Sequence, residues 1–193
     1  MKEKIQDYKE KLKHQIDAIS EKQIEEVINI LYDAWRSDKT VFVFGNGGSA
    51  ATASHFACDL GKNTLKKFYK QTTKRFRIIS LNDSMPTILA YSNDLSFDDI
   101  FSEQLKNLVL PGDIVIGITG SGNSLNILKA FKVAEENHAV TIGILGFGGG
   151  KAKELVDHAI VLNEQEYGIV EDGHWFLCHI IPQILKEKIH EEK

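Results

Sequence analysis

Five short runs of β-branched and aromatic residues limit most tightly what this chain can fold into: VFVFG from residue 41, RIISL from 77, DIVIGIT from 113, VTIGILG from 140 and HAIVL from 158. They read as strands that are apolar on both faces, and the segments between them have the character and length of crossover helices. Buried strands alternating with helices build a parallel sheet covered on both sides. The expected fold is α/β: a three-layer, doubly wound, five-stranded parallel sheet of the flavodoxin-like kind. Ligands of such sheets bind beyond the carboxyl ends of the strands. Functional residues are therefore expected just after positions 44, 81, 118 and 146.

Ahead of the sheet, residues 3–36 place Ile5, Tyr8, Leu12, Ile16, Ile19, Ile24, Val27, Ile28, Leu31 and Trp35 at helical spacing, with a heavily charged opposite face. This predicts a helical arm over 1–38 on a core of 39–193, within one domain spanning 1–193. Such an arm is not stable alone and must pack on the domain or on a second copy. No linker, repeat or low-complexity stretch divides the chain.

The composition narrows the function. Hydrophobic residues are 42% and charged ones 26%, as in a soluble globular protein, and the net charge of −4 argues against a dedicated nucleic-acid binder. A local basic run, Lys62 to Arg77 with Lys66, Lys67, Lys70 and Lys74, reads as a solvated surface that attracts a phosphorylated ligand. Cys58 and Cys178 cannot make a disulfide framework and are expected to be buried. The charged start MKEKIQDYKEKLKHQI has no signal-peptide core, and no apolar run is long enough to span a bilayer. The expected location is the cytoplasm.

Two strand ends carry anion-binding chemistry. After the first comes Gly45-Asn46-Gly47-Gly48-Ser49, and after the third Thr119-Gly120-Ser121-Gly122-Asn123-Ser124. Glycines admit a phosphate close to backbone amides, hydroxyls donate further bonds, and the following helix N-terminus favours negative charge. The competing reading is a turn and a helix cap; two such loops on adjacent units favour a phosphate site. Neither loop fits a nucleotide fingerprint, because GNGGSA has no Lys-Ser/Thr pair and no dinucleotide spacing, so no nucleotide cofactor is expected. Asp94, in a polar break between helices, is either a sugar-hydroxyl acceptor or a helix cap. GFGGGK, after the fourth strand, reads as a turn into the next helix. His55 and Asp59 are four apart, and Glu171, Trp175 and His179 follow at four-residue steps, so each set shares a helix face. A satisfied buried histidine is the plainer reading of His179 alone, and His174 is expected to be structural or at a subunit contact. Pro182 is expected to kink or end the last helix.

GNGGSAATASHFACDL, NDLSFDDIFSEQL, GDIVIGITGSGNSLNILKAF and EDGHWFLCH together resemble the sugar isomerase (SIS) domain proteins, and among them the phosphoheptose isomerases. The resemblance covers most of the chain and implies a SIS sheet, a homotetramer with sites at subunit junctions, and a phosphosugar substrate. It implies phosphate contacts from Thr119, Ser121 and Ser124, and sugar contacts from Asn46, Gly47, Ser49, Asp94 and Glu171. The implied reaction is aldose–ketose isomerisation through an enediol, with Asp59 as base and His179 as its acid or base partner. Three positions depart from the family pattern: Asp59 replaces a glutamate, Glu171 a glutamine, and Gly168 an aspartate. Aspartate reaches roughly 1.5 Å less than glutamate, and a misplacement near 1 Å costs on the order of 100-fold in rate. Some members bind zinc at the positions matching His55, Asp59, Glu171 and His179, a set of two imidazoles and two carboxylates that suits a divalent ion. Without a metal, two neighbouring carboxylates would raise one another's pKa and leave one as a proton donor. The alternatives are a non-catalytic sugar-phosphate sensor or protein-binding module, and an isomerase or lyase for another phosphosugar.

Overall fold

The computed structural model describes residues 1–65 and 74–191. Lys66, Lys67 and Lys70 of the basic run lie outside the described residues. All five expected strands form: β1 (Thr40–Gly45), β2 (Arg77–Ser80), β3 (Ile114–Thr119), β4 (Val140–Leu145) and β5 (His158–Val161). Every pairing is parallel and the order is β2-β1-β3-β4-β5. The winding reverses between β1 and β3, which opens a crevice at their carboxyl ends. Both glycine-hydroxyl loops emerge there.

Alternation along the strands builds two cores. Val41 and Val43 of β1 face one, while Phe42 and Phe44 face the other. The first core is closed by α2 (Glu21–Arg36), α3 (Gly48–Lys62) and α7 (Tyr167–Glu191). The second is closed by α5 (Ser102–Leu108) and α6 (Leu125–Glu136). Between β2 and α5, α4 (Met85–Asp94) buries no residue and leaves Met85 and Leu89 exposed.

The N-terminal segment is two helices with different roles. Ser20 caps α2, its Oγ accepting from the Gln23 amide at 3.4 Å, and this breaks the helix after α1 (Lys2–Ala18). Helix α2 buries Val27, Ile28, Leu31 and Tyr32 in the first core. Helix α1 buries only Gln15 and lies along α7.

Three local expectations are corrected. The β4–β5 link is a 3₁₀ segment (Phe147–Glu154) with left-handed backbone at Phe147 and the three glycines, not a turn into a helix. Pro182 does not end α7, because it is itself buried beside Ile181, Leu185 and Ile189, and packing carries the helix past its missing amide. Cys178 is buried, but Cys58 is exposed: it lies across α3 from the face of Ala53, Phe56 and Leu60. Among the described residues no helix is long and apolar enough to cross a membrane.

Candidate active site

His55 and Asp59 project from α3 and meet His179 of α7. His55 Nε2 is 2.9 Å from His179 Nε2 and 3.1 Å from Asp59 Oδ2. Two imidazole nitrogens at that separation need one proton between them, one ring donating and the other accepting. With the N–H on His55 drawn toward the Asp59 carboxylate, the lone pair belongs to His179, which is exposed. Asp59 is buried, and its other oxygen accepts from Asn63 Nδ2 at 2.6 Å. The Trp175 ring covers the pair, with centroids 4.6 Å from His55 and 5.7 Å from His179. Burial, and then the Asp59 charge, pushes the Cys178 thiol up, so it stays neutral. The ligand atoms of His55, Asp59 and His179 all lie within 4.8 Å of one another, a donor set that could hold a metal ion. Glu171 is not brought into this group.

Glu171 instead lies on the first loop. A Cβ at Gly48 would be 2.7 Å from its Oε1, so the carboxylate rests on the first residue of α3. Helix N-termini favour negative charge, and here the chain supplies that charge itself. Other parts of this loop are also committed. Ser49 is buried against the Gly45 backbone. Asn46 and Asn126 exchange reciprocal amide hydrogen bonds of 2.9 Å each, tying the two loops together. Asn82 continues the sheet past β1, accepting from the Gly45 amide at 3.1 Å and donating to its carbonyl at 2.9 Å. Asn82 and Asn126 have no motif of their own; their only sequence signal is an amide beside a strand end or a helix start. A cavity of about 300 Å³ opens beside this loop, lined by Asn46, Gly47, Ala51, Asn82 and Phe97 among others. A larger cleft of about 880 Å³ follows the β2 edge past Cys58, Asp83 and Tyr91, away from both histidines.

The second loop keeps more of its hydroxyls open. Thr119 is buried and braces the loop, its Oγ1 accepting from the Gly122 amide at 3.2 Å. Ser121 Oγ accepts from the Asn123 amide at 3.2 Å. Ser124 begins α6 without a side-chain cap bond, so its hydroxyl faces the crevice uncommitted. The glycine-rich segment after β4 braces this loop from behind. The Ala152 amide donates to the Gly122 carbonyl at 2.9 Å, and the Lys151 amide to Asn123 Oδ1 at 3.2 Å. Gly122 has φ +65°, and a Cβ there would fall 2.0 Å from the Gly149 carbonyl oxygen.

The SIS domain family matches residues 6–146. The phosphoheptose isomerase of Geotalea daltonii is 36% identical over 171 residues, 89% of this chain and 86% of that protein. The chain belongs to the phosphoheptose isomerase family. Solved structures agree. The Neisseria gonorrhoeae phosphoheptose isomerase matches with a TM-score of 0.86 at 25% identity, over 96% of this chain and 98% of that one. The Francisella tularensis phosphoheptose isomerase gives 0.87 at 25% identity, over 96% and 97%.

Against the phosphoheptose isomerase pattern, the remaining positions fall as follows. Asp94 is the exposed last residue of α4 and accepts from Asn93 Nδ2 at 2.9 Å. The space a side chain at 168 would use is held by Tyr8 of α1, whose hydroxyl lies 2.9 Å from the Cβ position of Gly168. That hydroxyl donates to Asp172 Oδ2 at 2.7 Å, and this bond chiefly raises the Tyr8 pKa to about 12. His174 is fully buried and neither ring nitrogen has a hydrogen-bond partner. Burial holds its pKa down to about 4, an effect the Leu145 backbone only partly offsets.

Proposed function

We infer that this chain is an aldose–ketose isomerase of phosphorylated heptoses, interconverting sedoheptulose 7-phosphate and D-glycero-D-manno-heptose 7-phosphate. The observation that carries the reading is the His55–His179 contact backed by a buried carboxylate, since binding a phosphate requires no imidazole pair. Isomerisation removes a proton from C1 of the ketose and returns one to C2. The carbonyl moves from C2 to C1, and a hydroxyl proton passes between the two oxygens. We assign the proton transfer to His179, whose lone pair is exposed. Asp59, both of whose oxygens are engaged, orients His55 and favours the protonated imidazole that forms. In this arrangement the methylene that aspartate lacks costs little, because the reach is supplied by the imidazoles. Ser121 and Ser124 with the second loop's amides hold the phosphate.

The acid–base group also fits a divalent ion. Ligand atoms of a tetrahedral zinc lie about 3.3 Å apart at ordinary bond lengths, close to the 2.9 and 3.1 Å found here. His55, Asp59 and His179 would hold it, and when bound it polarises the substrate carbonyl.

Along α7, Tyr167 at the second loop and His179 are twelve residues and about 18 Å apart, farther than a seven-carbon phosphosugar spans. This supports a site in which one protomer holds the phosphate and a second copy supplies the histidines, within a cytoplasmic homotetramer. The test is NMR of the protein with sedoheptulose 7-phosphate in deuterated water, with zinc and separately with a chelator. Deuterium at C2 of an aldose product is expected. Binding without exchange under either condition would replace the isomerase with a phosphosugar sensor.

A further inference from the structure

Helix α7 presents Tyr167, Glu171, Trp175 and His179 at four-residue steps, so these side chains form one ridge. Glu171 rests on Gly48 of the first loop. Tyr167 makes the equivalent contact with the second loop: its Cε1 lies 3.0 Å from the Cβ position of Gly120. Gly120 does not have a left-handed φ, so its backbone conformation does not call for glycine. What a side chain there would meet is the Tyr167 ring. The ring is also set edge-on against Phe147, with centroids 4.5 Å apart and planes at 69°. Phe147 itself has φ +48°, a conformation that costs a non-glycine residue on the order of 1 kcal/mol. The structure thus places a strained phenylalanine behind a tyrosine that leans on the phosphate loop. Despite both contacts Tyr167 remains 58% exposed, so its outer face is an apolar wall beside the open Ser124 hydroxyl.

We propose that Tyr167 is a substrate-contacting, specificity-determining residue, its ring packing on the carbon atoms next to the phosphate of a phosphosugar held by the 119–124 loop. This rests on the phosphosugar reading of that loop. A phosphate ester there presents a charged end to the hydroxyls and amides, and a C–H surface beside them. An aromatic face matches the second and distinguishes a sugar phosphate from the bare anion. The contact is made by the ring, so the phenol hydroxyl is dispensable.

Calorimetric titration of wild type, Tyr167→Phe and Tyr167→Ala separates the possibilities, using inorganic phosphate, sedoheptulose 7-phosphate and five- and six-carbon sugar phosphates. Tyr167→Ala is expected to weaken the best-bound sugar phosphate about tenfold while inorganic phosphate stays within twofold. Tyr167→Phe should match wild type, which also serves as the folded control if the alanine variant proves unstable. Turnover should show the loss as a raised KM with kcat within twofold. Equal sugar-phosphate affinity in wild type and Tyr167→Ala overturns the inference. So does a matching loss for inorganic phosphate, which would make Tyr167 a brace of the loop. Wild type that binds another sugar phosphate but not sedoheptulose 7-phosphate overturns the substrate assignment and leaves Tyr167 readable. Wild type that binds none overturns both.

Discussion

The two loops at the switch point are built from the same few residue types, yet their neighbours give them different work. The first, Gly45 to Ser49, is filled from within: Glu171 rests on Gly48, Ser49 is buried, and Asn46 is spent on Asn126. The second, Thr119 to Ser124, is held from behind by the 146–152 segment and left open in front. A glycine-and-hydroxyl composition therefore marks where an anion can sit, and the packing of α7 decides whether the chain or a ligand provides it. Four measurements probe that division.

The largest effect is expected from His179→Ala, which should lower turnover by about 10²–10⁴-fold while phosphosugar affinity stays within severalfold. An equal collapse of affinity would mean that binding and chemistry are not divided as described. Next is the frame the loops share. His174 is neutral in the fold with a pKa near 4, and an unfolded histidine titrates near 6.5. As pH falls the unfolded chain takes the proton first. The stabilisation is complete above about pH 6.5 and is lost toward pH 4, by up to about 3 kcal/mol. Urea unfolding between pH 7.5 and 4.5 should show this slope, and His174→Leu should flatten it; an unchanged slope would assign the acid sensitivity to other groups.

A serine pair compares the loops directly. Ser124→Ala removes a hydrogen bond to a charged ligand, about 1.5–3 kcal/mol, and should raise KM at least tenfold with kcat little changed. Ser49→Ala should leave KM within twofold, and the reverse order would exchange the roles of the two loops. The smallest effect is expected from Glu171→Gln. Loss of the charge at the start of α3 should cost about 0.3–1 kcal/mol in unfolding experiments. A stabilised variant would show that the carboxylate is not held there by the helix.

The sheet was legible because its signal is local: each strand announces itself by an unbroken apolar run, and both cores follow from alternation. The acid–base cluster was half legible. His55 with Asp59, and Glu171 with His179, are pairings that helical periodicity supplies, but which pair meets which depends on how α3 and α7 pack. That packing brings His55, Asp59 and His179 together and sends Glu171 to Gly48. Composition could not tell Ser49 from Ser124, because a buried and an open serine look alike until the backbone turns. The segment after β4 was read as a turn because it has no hydroxyls. Its contribution lies in backbone amides and carbonyls, which every sequence contains and none displays. Pro182 misled for a related reason, since a local breaker signal lost to the packing of Leu185 and Ile189.

The Asn46–Asn126 bridge joins the ends of β1 and the start of α6 through two neutral amides. Neither partner titrates, so the width of the crevice is insulated from the protonation of the imidazoles. Recognition and turnover then answer to acidity separately. Above the second pKa of a phosphate ester, near 6, the hold on the ligand stays level while the rate of conversion follows the histidines.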